Sequence, residues 1–267
     1  MEVKSLDSEI LSEKVVLITG GGRGLGRAIV KSFVRHGAKV ATFSRTQKDL
    51  CSLTDSIKGR NSLITQSFDV NNGIHGIKDF LEQVRRQWGG FDVLVNNAAI
   101  VGPPVPIHSL SSQEFRHVLR VNFEFPRDLI REIMPDMRAK GFGRVINVST
   151  SLIRAPFEKR PKWGAYPVSK SLLWELTASL ANAEPANSGI TFNAVDPLRL
   201  RTQLRQLVYP PHLDKATLYE AEEVTEVFVF LASDESANIN GCHIQAWVGH
   251  DPARLAELKH RPPLPGA

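Results

Sequence analysis

The sequence predicts an α/β protein: a doubly wound, seven-stranded parallel sheet in a single domain. Three observations carry this. Short runs rich in Val and Ile alternate with amphipathic stretches of roughly 10 to 20 residues, the pattern of repeated βαβ units. The first apolar run leads directly into a glycine-rich turn and a helical pattern, Thr19-Gly20-Gly21-Gly22-Arg23-Gly24-Leu25-Gly26. No composition-biased linker and no internal repeat divides the 267 residues. Residues 14–249 are expected to form the domain, with a lead-in over 1–13 and a tail over 250–267.

In chain order, the expected strands are Val15–Thr19, Val40–Ser44, Leu63–Phe68, Val93–Asn96, Val145–Val148, Thr191–Val195 and His243–Val248. Each is a short buried run closed by turn residues or by a helix start. Helices are expected over Leu25–Arg35, Ile74–Trp88, Glu114–Arg138, Val168–Ala183 and Glu222–Ala232. The third opens on Ser111-x-x-Glu114, a capping-box spacing, and Pro126 should kink it because a proline has no N–H to give the preceding turn. Ser151–Gly164 and Arg199–Leu218 read as irregular loops after strand C-termini, where open α/β sheets bind ligands. The proline-rich tail, Pro252–Ala267, can be ordered or frayed.

Composition narrows the class. Hydrophobic residues are 42% and charged residues 23%, as in ordinary globular chains. The net charge of +5 and pI near 9.3 would suit a nucleic-acid binder only if the bases clustered, and they are interspersed with acids along the chain. Cys51 and Cys242 stand far apart with no CxxC or metal spacing, which excludes a disulfide framework and a zinc module. No apolar run is long enough to span a membrane, and the polar, acidic start MEVKSLDSEILSEK is unlike a signal peptide. These features point to a cytoplasmic, reducing-compartment protein.

The chemistry begins at the glycine turn. Glycines let the backbone approach a pyrophosphate closely, and the following helix N-terminus offers N–H groups and partial positive charge, so Gly20, Gly22, Arg23, Gly24, Leu25 and Gly26 are candidate cofactor-binding residues. A P-loop is excluded because no Gly-Lys-Ser/Thr follows. The second strand ends in Ser44-Arg45, where an acid would hold the adenosine ribose hydroxyls and an arginine would accept a 2′-phosphate. With Arg23 on the same side, NADP(H) is favoured over NAD(H). Asp69, followed by Val70, is placed to accept from the adenine amino group and could equally cap a helix. Tyr166-Pro167-Val168-Ser169-Lys170 puts a phenol and an ammonium at i and i+4 on one helix face, and Pro167 marks the helix start.

Taken together, the chain resembles the short-chain dehydrogenase/reductase family. The resemblance runs from about Lys14 to Gly249. It rests on the order of the Thr19–Gly26 turn, Asp69-Val70, Asn96-Asn97-Ala98-Ala99, Asn122, Asn147-Val148-Ser149-Thr150, Tyr166-x-x-x-Lys170, Asn193-Ala194-Val195-Asp196-Pro197 and Thr202. It implies a Rossmann-like sheet of order 3-2-1-4-5-6-7, a nicotinamide cofactor along the C-terminal edge, a small carbonyl or alcohol substrate, and a homotetramer or homodimer. It further implies Tyr166 as general acid for carbonyl reduction and general base for alcohol oxidation, with Lys170 lowering the tyrosine pKa and bonding the nicotinamide ribose. Asn122 would hold a water that links Lys170 to solvent. Asn96 would stabilise the sheet and line the cofactor groove beside Ala98, and Pro197 and Thr202 would lie along the cofactor, Thr202 at the carboxamide.

The sequence departs from the family pattern in three places. The usual catalytic serine aligns with Thr150, and the gap to Tyr166 is about three residues longer than usual. Strand alternation sets Ser149 and Ser151 opposite Thr150, so Thr150 is the expected hydroxyl donor and Ser151 the runner-up if the longer loop shifts register. The usual glycine after the asparagine pair is Ala99, and the usual Pro-Gly after the sixth strand is Pro197-Leu198. The alternative reading is therefore a catalytically impaired family member that binds cofactor or a partner. Arg116, Arg120, Arg127, Arg131 and Arg138 fall within about 60° on an ideal helical wheel, as a docking stripe or as a solvated face with pairs such as Arg120 to Glu124. Arg154, Lys159, Arg160, Lys162 and Trp163 hint at an anionic substrate.

Overall fold

The computed structural model describes residues 6, 8–57, 62–156, 164–209 and 216–259. Seven parallel strands form one sheet in the order β3-β2-β1-β4-β5-β6-β7: β1 Val15–Thr19, β2 Lys39–Ser44, β3 Leu63–Ser67, β4 Val93–Asn96, β5 Gly143–Val148, β6 Ile190–Asp196 and β7 His243–Gln245. Strands buried on both faces need apolar residues at every position, and β1, Val-Val-Leu-Ile-Thr, is buried throughout. Its alternate side chains feed two cores. Val16 and Ile18 pack with Ile29 and Phe33 of α1 (Gly24–Arg35) and Phe228 of α8 (Glu226–Ala232). Val15 and Leu17 pack with Leu81 of α3 (Lys78–Trp88) and Leu129 and Ile133 of α5 (Phe125–Lys140).

Three departures from the sequence expectation have local causes. A nine-residue helix, α2 (Gln47–Asp55), follows β2; its short apolar face, Leu50 and Leu53, is too sparse to stand out as periodicity. The seventh strand stops at Gln245 rather than Val248, because the chain turns onto α8: Trp247 Nε1 donates to Glu226 at 2.7 Å and Gly249 N to the Glu223 carbonyl at 2.7 Å. The long third helix is three pieces: α4 (Ser112–Leu119), a π turn over Arg120–Glu124, and α5. Pro126 lies in the first turn of α5 and has no N–H for the Asn122 carbonyl, so the ladder widens one turn upstream rather than kinking at the proline. The capping box forms as expected, Ser111 Oγ accepting from Glu114 N and Glu114 from Ser111 N.

The π turn also disturbs the arginine stripe, since it holds more residues per turn than an α-helix and rotates Arg116 and Arg120 away from the line of Arg127, Arg131 and Arg138. Arg127 and Arg131 both face Asp128, and Arg138 pairs with Glu184 at 2.8 Å. The first half of the tail is ordered as α9 (Pro252–Lys259), with Leu255 and Leu258 buried in the core on the α1 side.

Candidate active site

The strand order reverses between β1 and β4, so the loops after them diverge and open a crevice at the carboxyl edge. Thr19 Oγ1 fastens this point by accepting from Asn97 N at 2.9 Å and Ala98 N at 2.8 Å. A cleft of about 880 Å³ runs along this edge. At one end is the glycine turn. Gly20 has φ of +73°, open to glycine and strained for other residues, and a Cβ on Gly26 would stand 2.2 Å from the Gly20 carbonyl oxygen. Helix α1, which starts there, has Arg23 at its N-cap with no side-chain cap and no acid in its first turn. Its leading N–H groups are thus left for an anion, and the cradle fits a cofactor pyrophosphate.

Beyond the turn, Ser44 lines the cleft, and its Oγ, buried beside Gly22, has no hydrogen-bond partner. Arg45 and Arg23 are exposed at this end, and Arg23 reaches Gln203 Oε1 at 2.7 Å. Asp49 of α2 also lines it, an acid that the sequence reading did not anticipate. Phe43 and Phe68, 5.4 Å apart edge to face, close the floor. Asp69 caps a 3-10 turn, its Oδ1 accepting from Asn71 N at 3.0 Å and Asn71 Nδ2 at 2.9 Å, while still lining the cleft with Val70.

At the other end, α6 (Ala165–Ala183) begins three residues before the expected Val168, and its first turn presents Tyr166 to the cleft. Lys170 lies one turn on, 1% exposed, its Nζ 5.8 Å from the tyrosine ring centroid and donating to the Val148 carbonyl at 2.6 Å. Burial pushes the Lys170 ammonium down to about 7. The tyrosine is not acidified. Burial first and the neighbouring Asp196 second push its pKa up.

Thr150 lines the cleft and Ser151 does not. Thr150 Oγ1 accepts from Leu152 N at 3.3 Å, which leaves its own proton directed elsewhere. Ser149 also lines the cleft, its Oγ 3.0 Å from His243 Nε2. Pro197, Thr202 and Ala98 line the cleft where expected; Thr202 caps α7 (Gln203–Gln206) by accepting from Arg205 N at 3.3 Å.

Three expected site residues lie behind the wall. Gly22 packs against Ser44. Asn96 is 2% exposed and donates to Asn147 Oδ1 at 2.8 Å across β4 and β5, so it supports the sheet while Asn97, which bonds the Thr19 carbonyl, lines the groove. Asn122, 1% exposed in the π turn, spends its side chain on Ile100 N at 2.9 Å, Ile100 O at 2.8 Å and Ser169 Oγ at 2.9 Å. Lys159, Arg160, Lys162 and Trp163 lie outside the described residues.

The family model for short chain dehydrogenase matches residues 14–211. This chain belongs to the short-chain dehydrogenase/reductase family. Among curated relatives, it is 30% identical to an acetoacetyl-CoA reductase of Rhizobium meliloti, covering 87% of this chain and 96% of that one. It is 28% identical to a 3alpha-hydroxysteroid dehydrogenase of Mediterraneibacter gnavus, covering 87% and 94%. Among solved structures, a short chain dehydrogenase from Pseudomonas syringae superposes with a TM-score of 0.84 at 28% identity, over 92% of this chain and 99% of that one. Like its family, the chain is an NAD(P)-dependent oxidoreductase that interconverts carbonyl and alcohol. No helix among the described residues is long and apolar enough to cross a membrane.

Proposed function

We propose that this short-chain dehydrogenase/reductase is an NADP(H)-dependent enzyme in which Tyr166, Lys170 and Thr150 form the reacting centre and Asn122 supports it. The single observation that carries the reading is the meeting of Tyr166 and Lys170 from α6 with Thr150 from the end of β5 on one wall of the cleft. When bound, the cofactor supplies or accepts the hydride. The chain's own residues hold the substrate oxygen and move its proton. Thr150 and Tyr166 donate hydrogen bonds to a carbonyl oxygen, polarising it, and Tyr166 passes its proton to that oxygen as the alcohol forms. In oxidation Tyr166 receives the proton back. Lys170 would bond a ribose hydroxyl of the bound cofactor, and Asn122 clamps the loop at Ile100 against α6 through Ser169.

Two arginines, Arg23 and Arg45, with the unpartnered Ser44 hydroxyl, favour a 2′-phosphate over the single opposing acid Asp49. Ile100, Val101, Leu152, Leu198, Leu207 and Val208 give the substrate end largely apolar walls, suited to a small carbonyl compound with an apolar body. We further take the domain as residues 14–249, the assembly as a homodimer or homotetramer, and the location as cytoplasmic, in keeping with two free cysteines. The test is turnover of a carbonyl panel with NADPH and with NADH. Faster turnover with NADPH supports the reading. Faster turnover with NADH overturns the cofactor assignment, and cofactor binding without turnover of any carbonyl favours an impaired, cofactor-binding role.

A further inference from the structure

Behind the reacting centre, on the sheet face that α6 covers, lies a group of polar and aromatic side chains that the proposed chemistry does not use. Asn147 of β5 marks this face, because its Nδ2 donates to Thr177 Oγ1 of α6 at 2.9 Å. Residues paired in register share a face, so Ala194 of β6, opposite Asn147, and His243 of β7, opposite Ala194, point the same way. Alternation returns Ser149 to it as well, and the Ser149 N–H still follows the ladder, donating to the Val195 carbonyl at 2.7 Å. The small Ala194 leaves room above β6. The His243 ring reaches across it to place Nε2 3.0 Å from Ser149 Oγ, joining two strands that are not neighbours. Both residues are buried, and each satisfies the other's polar group. Burial first and the Arg154 charge second push His243 down to about 4, so the ring is neutral at physiological pH.

Trp174, one turn beyond Lys170 on α6, meets the same histidine edge to face, with ring centroids 5.4 Å apart and planes at 87°. The Arg154 guanidinium lies over the Trp174 ring, 5.5 Å from its centroid. Ser149 is the residue before Thr150, and Arg154 ends the 3-10 turn Ser151–Arg154 that follows it. The segment that carries Thr150 is thus held on both sides, through His243 and directly, by one side chain of the helix that carries Tyr166. Sixteen positions of chain separate Thr150 from Tyr166, a connection too long to fix their spacing by itself. The bond from Lys170 Nζ to the Val148 carbonyl, at 2.6 Å, ties the same helix to β5 but stops short of Thr150.

We propose that His243 is a positioning residue: with Trp174 it fastens the strand end that carries Thr150 to the helix that carries Tyr166, and so sets the separation of the two groups that share the substrate oxygen. This deepens the proposed function and rests on its assignment of Thr150 and Tyr166.

The test compares the parent with three variants. His243→Phe keeps a ring against Trp174 and loses the bond to Ser149, Ser149→Ala loses that bond from the other side, and His243→Gln can place an amide atom where Nε2 stands. Amide hydrogen exchange at Leu152, whose N–H is held by Thr150 Oγ1 at 3.3 Å, needs no turnover. It should quicken by about tenfold or more in His243→Phe and in Ser149→Ala. In both, kcat should fall about 10- to 100-fold, the order expected of a reacting group moved by about an ångström, with KM and the NADPH Kd within about threefold of the parent. Ser149→Ala carries both readouts should the larger ring disturb folding. His243→Gln should recover most of kcat. In a Thr150→Val background, where no donor remains to be placed, His243→Phe should cost less than about threefold more, whereas a merely structural histidine would cost the same in either background. The proposal is overturned by unchanged Leu152 exchange in both bond-breaking variants, by no recovery in His243→Gln, or by a kcat loss as large in the Thr150→Val background as in the parent. Quickened exchange in a protein whose turnover ignores Thr150→Val would instead leave the fastening standing and bring down the assignment of Thr150 beneath it.

Discussion

Lys170→Met is the most informative single change, because the structure implies that it stabilises the folded chain while disabling the site. Lys170 is 1% exposed, and burial lowers its pKa from 10.5 to about 7. The unfolded chain therefore binds more protons than the folded one between about pH 7 and 10.5, and the lysine's contribution to stability rises with pH across that window. At about 1.36 kcal/mol per pKa unit, a permanently neutral side chain avoids a cost of about 5 kcal/mol at pH 6, but only about 2 kcal/mol at pH 9. Methionine leaves the buried Val148 carbonyl without the donor now 2.6 Å away, a loss of roughly 1–3 kcal/mol. The variant should then be more stable than the parent by about 2–4 kcal/mol at pH 6 and about equal to it at pH 9. The carbonyl contribution cancels between the two pH values, so the gap narrows by about 3 kcal/mol, equivalent to about 5 °C in melting temperature for a chain of this size. Urea unfolding of both proteins at the two pH values, at matched ionic strength, measures it. A gap that does not change with pH would show that Lys170 is charged in the folded chain and would refute the electrostatic reasoning for this wall of the cleft.

Three further outcomes follow from the site. Thr150→Ser keeps the hydroxyl and relieves crowding, so turnover should persist or rise. Thr150→Val should cost roughly 10²–10³ in kcat, with Ser151→Ala much milder, and the reverse order in steady-state assays would move the donor to Ser151. Ser44→Asp combined with Arg45→Ala should shift preference toward NADH, read by cofactor fluorescence titration; tighter NADH than NADPH binding by the unmodified protein contradicts the 2′-phosphate site. Light scattering should show a dimer or tetramer, and charge reversal at Arg127 and Arg131 should weaken it at low salt if that helix face is an interface. A monomer at every concentration would contradict the assembly.

Elements whose local chemistry agreed with their environment were legible in the sequence. Strands β1 and β4 match residue for residue, because an unbroken apolar run can be satisfied only by burial on both faces. The glycine turn and the Tyr166-Lys170 pair were readable because each depends on spacing within one element. What escaped depends on contacts between distant segments. That Asn97 rather than Asn96 faces the groove is decided by the bond from Asn96 to Asn147, 51 residues away. Asp49 enters the adenosine end because α2 folds back beside Ser44. The lowered Lys170 and raised Tyr166 pKa values reflect burial, which spacing alone does not report.

The central claim, that Tyr166 delivers the proton that accompanies hydride transfer, is tested most directly by Tyr166→Phe with two readouts on one preparation. The account predicts that kcat/KM for carbonyl reduction collapses while the NADPH dissociation constant stays within a few-fold of the parent, since the proposed role of the phenol is toward the substrate oxygen and the substitution removes only its hydroxyl. Retention of most of the parent's kcat/KM in Tyr166→Phe would contradict it.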